Sequence, residues 1–278
     1  MNAGGRRFED RVADLTVSEQ HFAETTHNLA PPARSYVIVF TARSGSTWLT
    51  KLLSATNLLG HPEEYINPDF VRAVAEFLQS RQQASFLQSL MRRRKTDNGI
   101  FGIEVRETDV TLFGESFFFQ AFSNKTIFFN LWRKNILAQA ISLYRAVETK
   151  RFHSDEKTEN FAPPPYDAEA IANWLAHIAA EENENLWMLR RNRPVFHNLC
   201  YENIVRDRNA TIKMFADILK VELNIAQFAA PMAGELQKIG DAWNIQAEQR
   251  FRASHAEFLR NIEVARQIKQ LIVPEGQG

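Results

Sequence analysis

Short apolar runs alternate with longer stretches of helical periodicity along the chain. Residues 35–40, which read SYVIVF, are apolar at nearly every position, a pattern typical of a strand buried on both faces. Further strands are predicted at 99–105, 125–132 and 194–201. Helical patterns separate these strands, and this alternation predicts an α/β fold with a central parallel β-sheet flanked by helices.

The helical patterns are amphipathic. We expect a helix over about residues 46–55 and one helical run over 69–95, which ends in a basic cluster. A helix is also predicted over 134–150, with its apolar residues on one stripe. Residues 167–192 predict a long helix that opens with an Asp167 cap.

The domain organisation follows from breaks in these patterns. Residues 1–34 are polar and end in APPARS, so we interpret them as an N-terminal extension, either packed on the domain or partly mobile. Residues 35–278 are then expected to form a single domain. Residues 152–166 are charged and then proline-rich, which predicts a loop that is either a lid or a plain connector.

Charge and cysteine content narrow the class of protein. Lys plus Arg equals Asp plus Glu at 33 each, so no overall field favours a polyanion, and nucleic acid is not expected as the main partner. Cys200 is the only cysteine, which excludes an intrachain disulfide and fits a reducing compartment. No apolar run is long enough for a membrane span and the N-terminus lacks a signal-peptide pattern. We therefore expect a cytoplasmic protein, with a homo-oligomer left open.

The turn TARSGST, residues 41–47 and called the phosphate loop below, joins the first strand to a helix. The N–H groups and dipole at a helix start attract anions, and Arg43 adds a fork of donors for phosphate-type oxygens. A Walker loop has a lysine directly after its second glycine, whereas Ser46 follows Gly45 here. Without that lysine, transfer of a γ-phosphate is disfavoured. A single 5′-phosphate that carries one further group fits the loop better.

The phosphate loop, with GHPEEYIN at 60–67, is similar to the bacterial trehalose and glycolipid (Stf0-type) sulfotransferase family. LWRKNILAQAISLYRA, at 131–146, resembles the segment of that family that binds a 3′-phosphate. The resemblance implies a P-loop-NTPase-like fold and 3′-phosphoadenosine 5′-phosphosulfate (PAPS) as sulfuryl donor, with 3′,5′-adenosine bisphosphate (PAP) as product and no metal required. The donor-binding residues that it implies are Arg43, Ser44, Gly45, Ser46, Thr47, Trp48, Arg133 and Ser142.

The resemblance also implies a carboxylate general base. The Pro-x-Glu-aromatic segment of the family maps the base onto Glu64, with Glu63 at the variable position. His61 is a competing base, because related cytosolic sulfotransferases use histidine. Lys134 is an alternative to Arg133, since the register of that segment allows a shift of one residue.

Weaker matches lie elsewhere in the chain. CYENIV, at 200–205, resembles a Tyr-Glu-Asp-Leu segment, with Asn203 in place of the usual aspartate. LQKIGDAW, at 236–243, makes Lys238 a candidate phosphate ligand or a plain surface residue. Glu104 stands where the resemblance implies a lysine, so the acceptor is expected to differ from the usual one.

The function implied is transfer of a sulfuryl group to a hydroxyl of a carbohydrate or glycolipid such as trehalose or lipopolysaccharide. Two alternatives remain at this point. One is a magnesium-dependent nucleotide kinase-like phosphotransferase, and the other is a non-catalytic nucleotide-binding protein.

Overall fold

The computed structural model describes residues 7–18, 26, 28–122, 125–152, 162–228 and 242–271. Its strands are β1 (Arg34–Val39), β2 (Ile100–Val105), β3 (Thr126–Trp132) and β4 (Phe196–Cys200). Its helices up to β4 are α1 (Phe8–Val12), α2 (Ser46–Ser54), α3 (Val71–Leu78), α4 (Gln83–Arg93), α5 (Glu107–Phe113), α6 (Glu115–Ala121), α7 (Ile136–Thr149) and α8 (Ala168–Asn192). After β4 come α9 (Tyr201–Arg206), α10 (Arg208–Leu219), a 3₁₀ turn at Ile225–Phe228, α11 (Ala242–Ser254) and α12 (Ala256–Leu271).

The four strands form one parallel sheet in the order β2-β1-β3-β4. The central parallel sheet flanked by helices is thus confirmed, and each strand begins and ends close to its predicted bounds. β2 lies on one side of β1 and β3 lies on the other, so the strand order reverses at β1. Ligands of such sheets bind outside the carboxyl ends of the strands where the order reverses. The loops that follow β1 and β3 meet at that point.

Both faces of the sheet are buried, which explains the continuous apolar runs in β1 and β2. Val37 and Val39 of β1 face one cluster, which also holds aromatic residues of α4, α5 and α6. Tyr36 and Ile38 face a second cluster, built mainly from α2 and α10. The third cluster joins α7 to α8 and includes residues of α11 and α12. Helices therefore pack on both faces of the sheet and fix the position of its carboxyl edge.

The single helical run predicted over 69–95 is wrong in one respect, because it divides into α3 and α4. Gln79 adopts a left-handed conformation with φ 52°, which ends α3. The Ser80 hydroxyl then bonds with the Ser85 hydroxyl at the start of α4. Residues 79–82 are all polar and offer no apolar side chain to continue the stripe, so packing does not hold this turn helical.

Helices α8 and α7 each begin at a side-chain cap. Asp167 accepts a hydrogen bond from the Ala170 N–H at 3.0 Å, the predicted cap of α8. Asn135 caps α7 in the same way, through the Ala138 N–H at 3.0 Å. Within the described ranges, no helix is long and apolar enough to cross a membrane.

Helix α1, inside the predicted N-terminal extension, packs on the domain. Phe8 is 2% exposed, and its ring lies edge-on to those of Phe86 and Phe113, at centroid distances of 5.2 and 4.9 Å. Val12, one turn later, is buried in the same cluster. This part of the extension is therefore integrated into the core.

We expect Phe8→Ala to lower the free energy of unfolding by about 3–5 kcal/mol, the usual loss for a fully buried aromatic residue. Urea unfolding monitored by tryptophan fluorescence measures it. Phe70→Ala is the matched control, because Phe70 is 55% exposed and should cost less than about 1 kcal/mol. Equal stability of the Phe8→Ala variant and the wild type would show that α1 is dispensable for the fold.

Candidate donor and acid site

The phosphate loop makes a tight turn between β1 and α2. Arg43 and Gly45 have φ values of 62° and 97°, and the Ser44 N–H donates to the Thr41 carbonyl at 3.1 Å. A Cβ atom on Gly45 would lie 2.2 Å from Cδ2 of Tyr201, so both the backbone conformation and the available space require glycine here. The turn ends at Ser46, where α2 begins and its first N–H groups have no intrahelical partner.

The hydroxyl groups of the loop differ in their surroundings. Ser44 is fully buried, and its Oγ has no hydrogen-bond partner among the described residues. Ser46 is also buried, Thr47 is exposed, and Trp48 is partly buried against the cluster under α2. Leaving a buried hydroxyl without a hydrogen bond costs about 1–3 kcal/mol. The Ser44 hydroxyl can therefore gain stability by donating to an anionic oxygen of a ligand.

Two of the predicted donor-binding residues meet directly. Nε of Arg43 donates to Oγ of Ser142, on α7, at 3.0 Å, and Nη1 of Arg43 donates to the Phe152 carbonyl at 2.6 Å. The phosphate loop and the segment resembling a 3′-phosphate site are thus joined, although Arg43 and Ser142 are 99 residues apart.

Arg133 follows β3 and approaches the same loop. Its guanidinium carbon lies 4.7 Å from the centre of the Tyr201 ring, and its Nη1 lies 3.5 Å from the Arg43 carbonyl oxygen. Its Nε is buried and has no hydrogen-bond partner among the described residues, with Oε1 of Glu202 at 3.9 Å. Burial, and then the positive charge of Arg133, lower the pKa of Arg43. Two partly buried cations side by side favour a ligand of more than one negative charge.

The alternative register has Lys134 in this role. The Lys134 side chain is exposed, whereas that of Arg133 is 15% exposed and faces the phosphate loop. Glu202 accepts hydrogen bonds from the Lys134 and Asn135 N–H groups at 2.8 and 3.0 Å. The position of the backbone therefore turns Arg133, and not Lys134, toward Arg43.

Sequence reasoning missed three residues of this site. Gln139 is fully buried, and its Nε2 donates to Thr41 Oγ1 at 2.9 Å and to the Ala42 carbonyl at 2.7 Å, which holds the phosphate loop against α7. Tyr201 and Glu202 belong to the CYENIV segment, where sequence reasoning considered only Asn203, which is exposed. The sequence could have indicated both residues, because they directly follow the predicted strand that becomes β4, at the carboxyl edge of the sheet.

Glu202 is held as an anion by the backbone that it caps. Burial favours its neutral form, but the N–H groups of Asn135, Lys134 and Glu202 itself, with the Cys200 thiol, together outweigh burial and lower the pKa of Glu202. The thiol of Cys200 also donates to Oε2 of Glu202 at 3.2 Å. Glu202 is therefore a fixed negative charge behind Arg133.

The candidate bases lie on the segment between α2 and α3. Glu64 Oε2 accepts a hydrogen bond from Nδ2 of Asn67 at 2.6 Å. Glu63 pairs with Arg94 at 3.0 Å. The His61 carbonyl accepts a hydrogen bond from the Tyr65 hydroxyl at 2.7 Å, and its side chain is partly buried. Of the two acids, Glu63 has an arginine partner and Glu64 an amide partner.

Glu104 lies on β2 beside this segment, and its N–H donates to the Glu63 carbonyl at 3.0 Å. It is 4% exposed, and its Oε1 has no hydrogen-bond partner among the described residues. Burial, then the charges of Glu64 and Glu63, raise the pKa of Glu104 well above its ordinary value. The raised pKa favours the protonated form of Glu104, which lessens the repulsion among the three acids.

Two expectations fall on residues outside the described ranges. These are Lys238, with most of its segment, and the part of the predicted loop at 153–161. Their roles stay predictions.

We expect Glu104→Gln to reduce the loss of stability that the wild type shows as the pH rises above the ordinary pKa of glutamate. The folded wild type keeps a proton on Glu104 that the unfolded chain releases, so its free energy of unfolding falls as pH rises from about 4.3, the ordinary glutamate value, toward the raised pKa. Glutamine is neutral throughout and removes this loss. The difference between variant and wild type should grow by up to about 1.4 kcal/mol per pH unit within that window.

Urea unfolding over a series of pH values measures this difference. Glu76→Gln, at an exposed position of α3, is the control and should follow the wild type. Parallel profiles for Glu104→Gln and the wild type would show that Glu104 titrates normally.

The family model described as Stf0 sulphotransferase matches residues 35–254. The chain is similar to a trehalose 2-sulfotransferase of Mycobacterium tuberculosis, with 23% identity over 190 residues that cover 54% of this chain and 70% of that protein.

Solved structures are also similar to this chain. The sulfotransferase domain of the Synechococcus PCC 7002 olefin synthase has a TM-score of 0.49 and 14% identity, and the match covers 85% of this chain and 96% of that one. Mouse sulfotransferase SULT7A1, complexed with PAP, has a TM-score of 0.43 and 14% identity, with 92% and 94% covered. The family model spans most of the sequence from β1 through α11, and the chain therefore belongs to the Stf0 sulphotransferase family.

Proposed function

We propose that this sulfotransferase takes PAPS as its donor and transfers the sulfuryl group to a hydroxyl of a carbohydrate or glycolipid, with Glu64 as general base. The observation that carries the proposal is the convergence of Arg43 and Arg133 at the carboxyl edge of β1 and β3. Two cations from separate segments fit a donor with two anionic groups, a 5′-phosphosulfate and a 3′-phosphate.

The residues present fit such a donor. The buried, unpaired hydroxyl of Ser44 and the start of α2 suit the 5′-phosphosulfate, together with Arg43. Arg133 and Ser142 suit the 3′-phosphate. The donor supplies an activated sulfuryl group, and its phosphate gains negative charge as the sulfur–oxygen bond breaks. Arg43 and the loop N–H groups stabilise that charge, a contribution greatest in the transition state.

Glu64 accepts the proton of the acceptor hydroxyl as the new sulfur–oxygen bond forms. The amide of Asn67 donates to its carboxylate and orients it, and this contact adds no positive charge beside Glu64. Glu63 is less suited to the role, because the guanidinium of Arg94 neutralises it.

The acceptor class rests on the relative from Mycobacterium tuberculosis, whose name gives trehalose as its substrate. We extend to this chain only the class, a sugar hydroxyl on a free carbohydrate or a glycolipid. Glu104 stands where the resemblance implies a lysine, so the site lacks a cation at this position and favours a neutral acceptor over an anionic one. The single cysteine supports a reducing compartment, for which we propose the cytoplasm.

We expect PAP to bind the purified protein without magnesium, and Arg133→Ala to weaken binding by about 10–150-fold, the value of a charged hydrogen bond of about 1.5–3 kcal/mol. Isothermal titration calorimetry measures both affinities. Lys134→Ala is the matched control and should change the affinity less than about threefold, since its side chain points to solvent. Binding of ATP with magnesium in place of PAP would support a kinase-like phosphotransferase instead.

Glu64→Gln should lower kcat by about 10²–10⁴-fold, the usual loss of a general base, and leave the PAP affinity unchanged. Sulfate transfer from labelled PAPS to a panel of sugars and glycolipids provides the assay. His61→Ala and Glu63→Gln are the comparison variants, and both should retain most of kcat. A larger loss in His61→Ala than in Glu64→Gln would assign the base to His61. Binding of PAP with no turnover on any acceptor would favour the non-catalytic alternative.

A further inference from the structure

Helix α12 lies beyond the residues that match the family model, yet it reaches the donor site. Its Arg266 is 8% exposed, which is unusual for an arginine and calls for partners that replace water. The family resemblance assigns no role to this helix.

The partners of Arg266 are the backbone that carries Arg133. Nη2 of Arg266 donates to the Arg133 carbonyl at 2.6 Å, and Nη1 lies 3.3 Å from the Lys134 carbonyl oxygen, within hydrogen-bond distance. Its Nε and Nη2 also donate to the two oxygens of Glu182, on α8, at 2.7 and 2.8 Å. The carboxylate neutralises the guanidinium, and the planar fork serves the carbonyls and the carboxylate together.

Glu202 holds the backbone of residues 133–135 from the side opposite Arg266. Glu202 accepts from the N–H groups of Lys134 and Asn135, whereas Arg266 donates to the carbonyl groups of Arg133 and Lys134. Both polar sides of the turn after β3 are therefore fixed by a charged side chain. A turn held in this way keeps the Arg133 side chain in one orientation before any ligand arrives.

We propose that Arg266 is a positioning residue of the donor site, which presents Arg133 to the 3′-phosphate of the bound nucleotide. The inference rests on the proposed function. It adds a C-terminal helix outside the matched family region to the parts of the chain that determine nucleotide affinity. Arg266 acts through the backbone of residues 133–134.

The experiment compares two nucleotides that differ only in the 3′-phosphate, PAP and adenosine 5′-monophosphate. We expect Arg266→Ala to weaken PAP binding about tenfold and to change binding of the monophosphate by less than about twofold. A merely structural role would weaken both nucleotides alike. Isothermal titration calorimetry gives the ratio of the two affinities, which needs no turnover.

Two further variants guard against a trivial loss of structure. Arg266→Lys keeps the charge opposite Glu182 but lacks the fork, so it should fold and recover only part of the PAP affinity. Arg260→Ala removes an exposed arginine from the same helix and should bind both nucleotides as the wild type does. Circular dichroism checks that each variant is folded.

The outcomes separate this inference from the proposed function. If the wild type prefers PAP and Arg266→Ala keeps the same preference, or loses both nucleotides equally while folded, the positioning role is wrong and the proposed function stands. If the wild type itself binds PAP no better than the monophosphate, the proposed 3′-phosphate site is wrong, and the role of Arg266 with it.

Discussion

The proximity of two partly buried guanidinium groups is the constraint on which the rest of the proposed donor site depends. Arg43 and Arg133 would separate into water if their segments were free, because each gains hydration and loses repulsion by doing so. Ser142 and the Phe152 carbonyl hold the first, and the ring of Tyr201 lies under the second. The fold thus maintains a positive charge density that only an anion can balance fully.

Most of the supporting residues act on the backbone. Gln139 binds the phosphate loop at Thr41 and Ala42, and Glu202 binds N–H groups at the start of α7. Such contacts do not occupy the side chains that face the proposed donor. Because some residues hold the backbone and others face the donor, the site contains buried polar residues that no ligand needs to touch.

The sequence predicted the sheet well, because buried parallel strands are marked by apolar runs that need no partner to be recognised. It also led to Arg43, Arg133 and Ser142, because each lies in a local motif at the end of a strand or on the next helix. Their roles stay predictions.

What the sequence could not predict depends on tertiary contacts. Gln139 and Arg266 have no local signal, since their partners lie 84 or more residues away. The break between α3 and α4 was missed because Gln79 takes a left-handed conformation without the usual glycine. A lone polar segment inside an amphipathic pattern is compatible with either a continuous or an interrupted helix.

The separation of these contacts along the chain has a consequence for the order of folding. Arg43 meets a residue 99 positions away, and Arg266 meets one 133 positions away, so both contacts close large loops at an entropic cost. The Arg266 contact is the longer of the two and also needs α12, so it forms after β1 pairs with β3, where Ser35 and Thr126 are 91 positions apart. The proposed donor site is therefore expected to mature last, so that a chain with a complete sheet still lacks the contact that holds Arg133 in place.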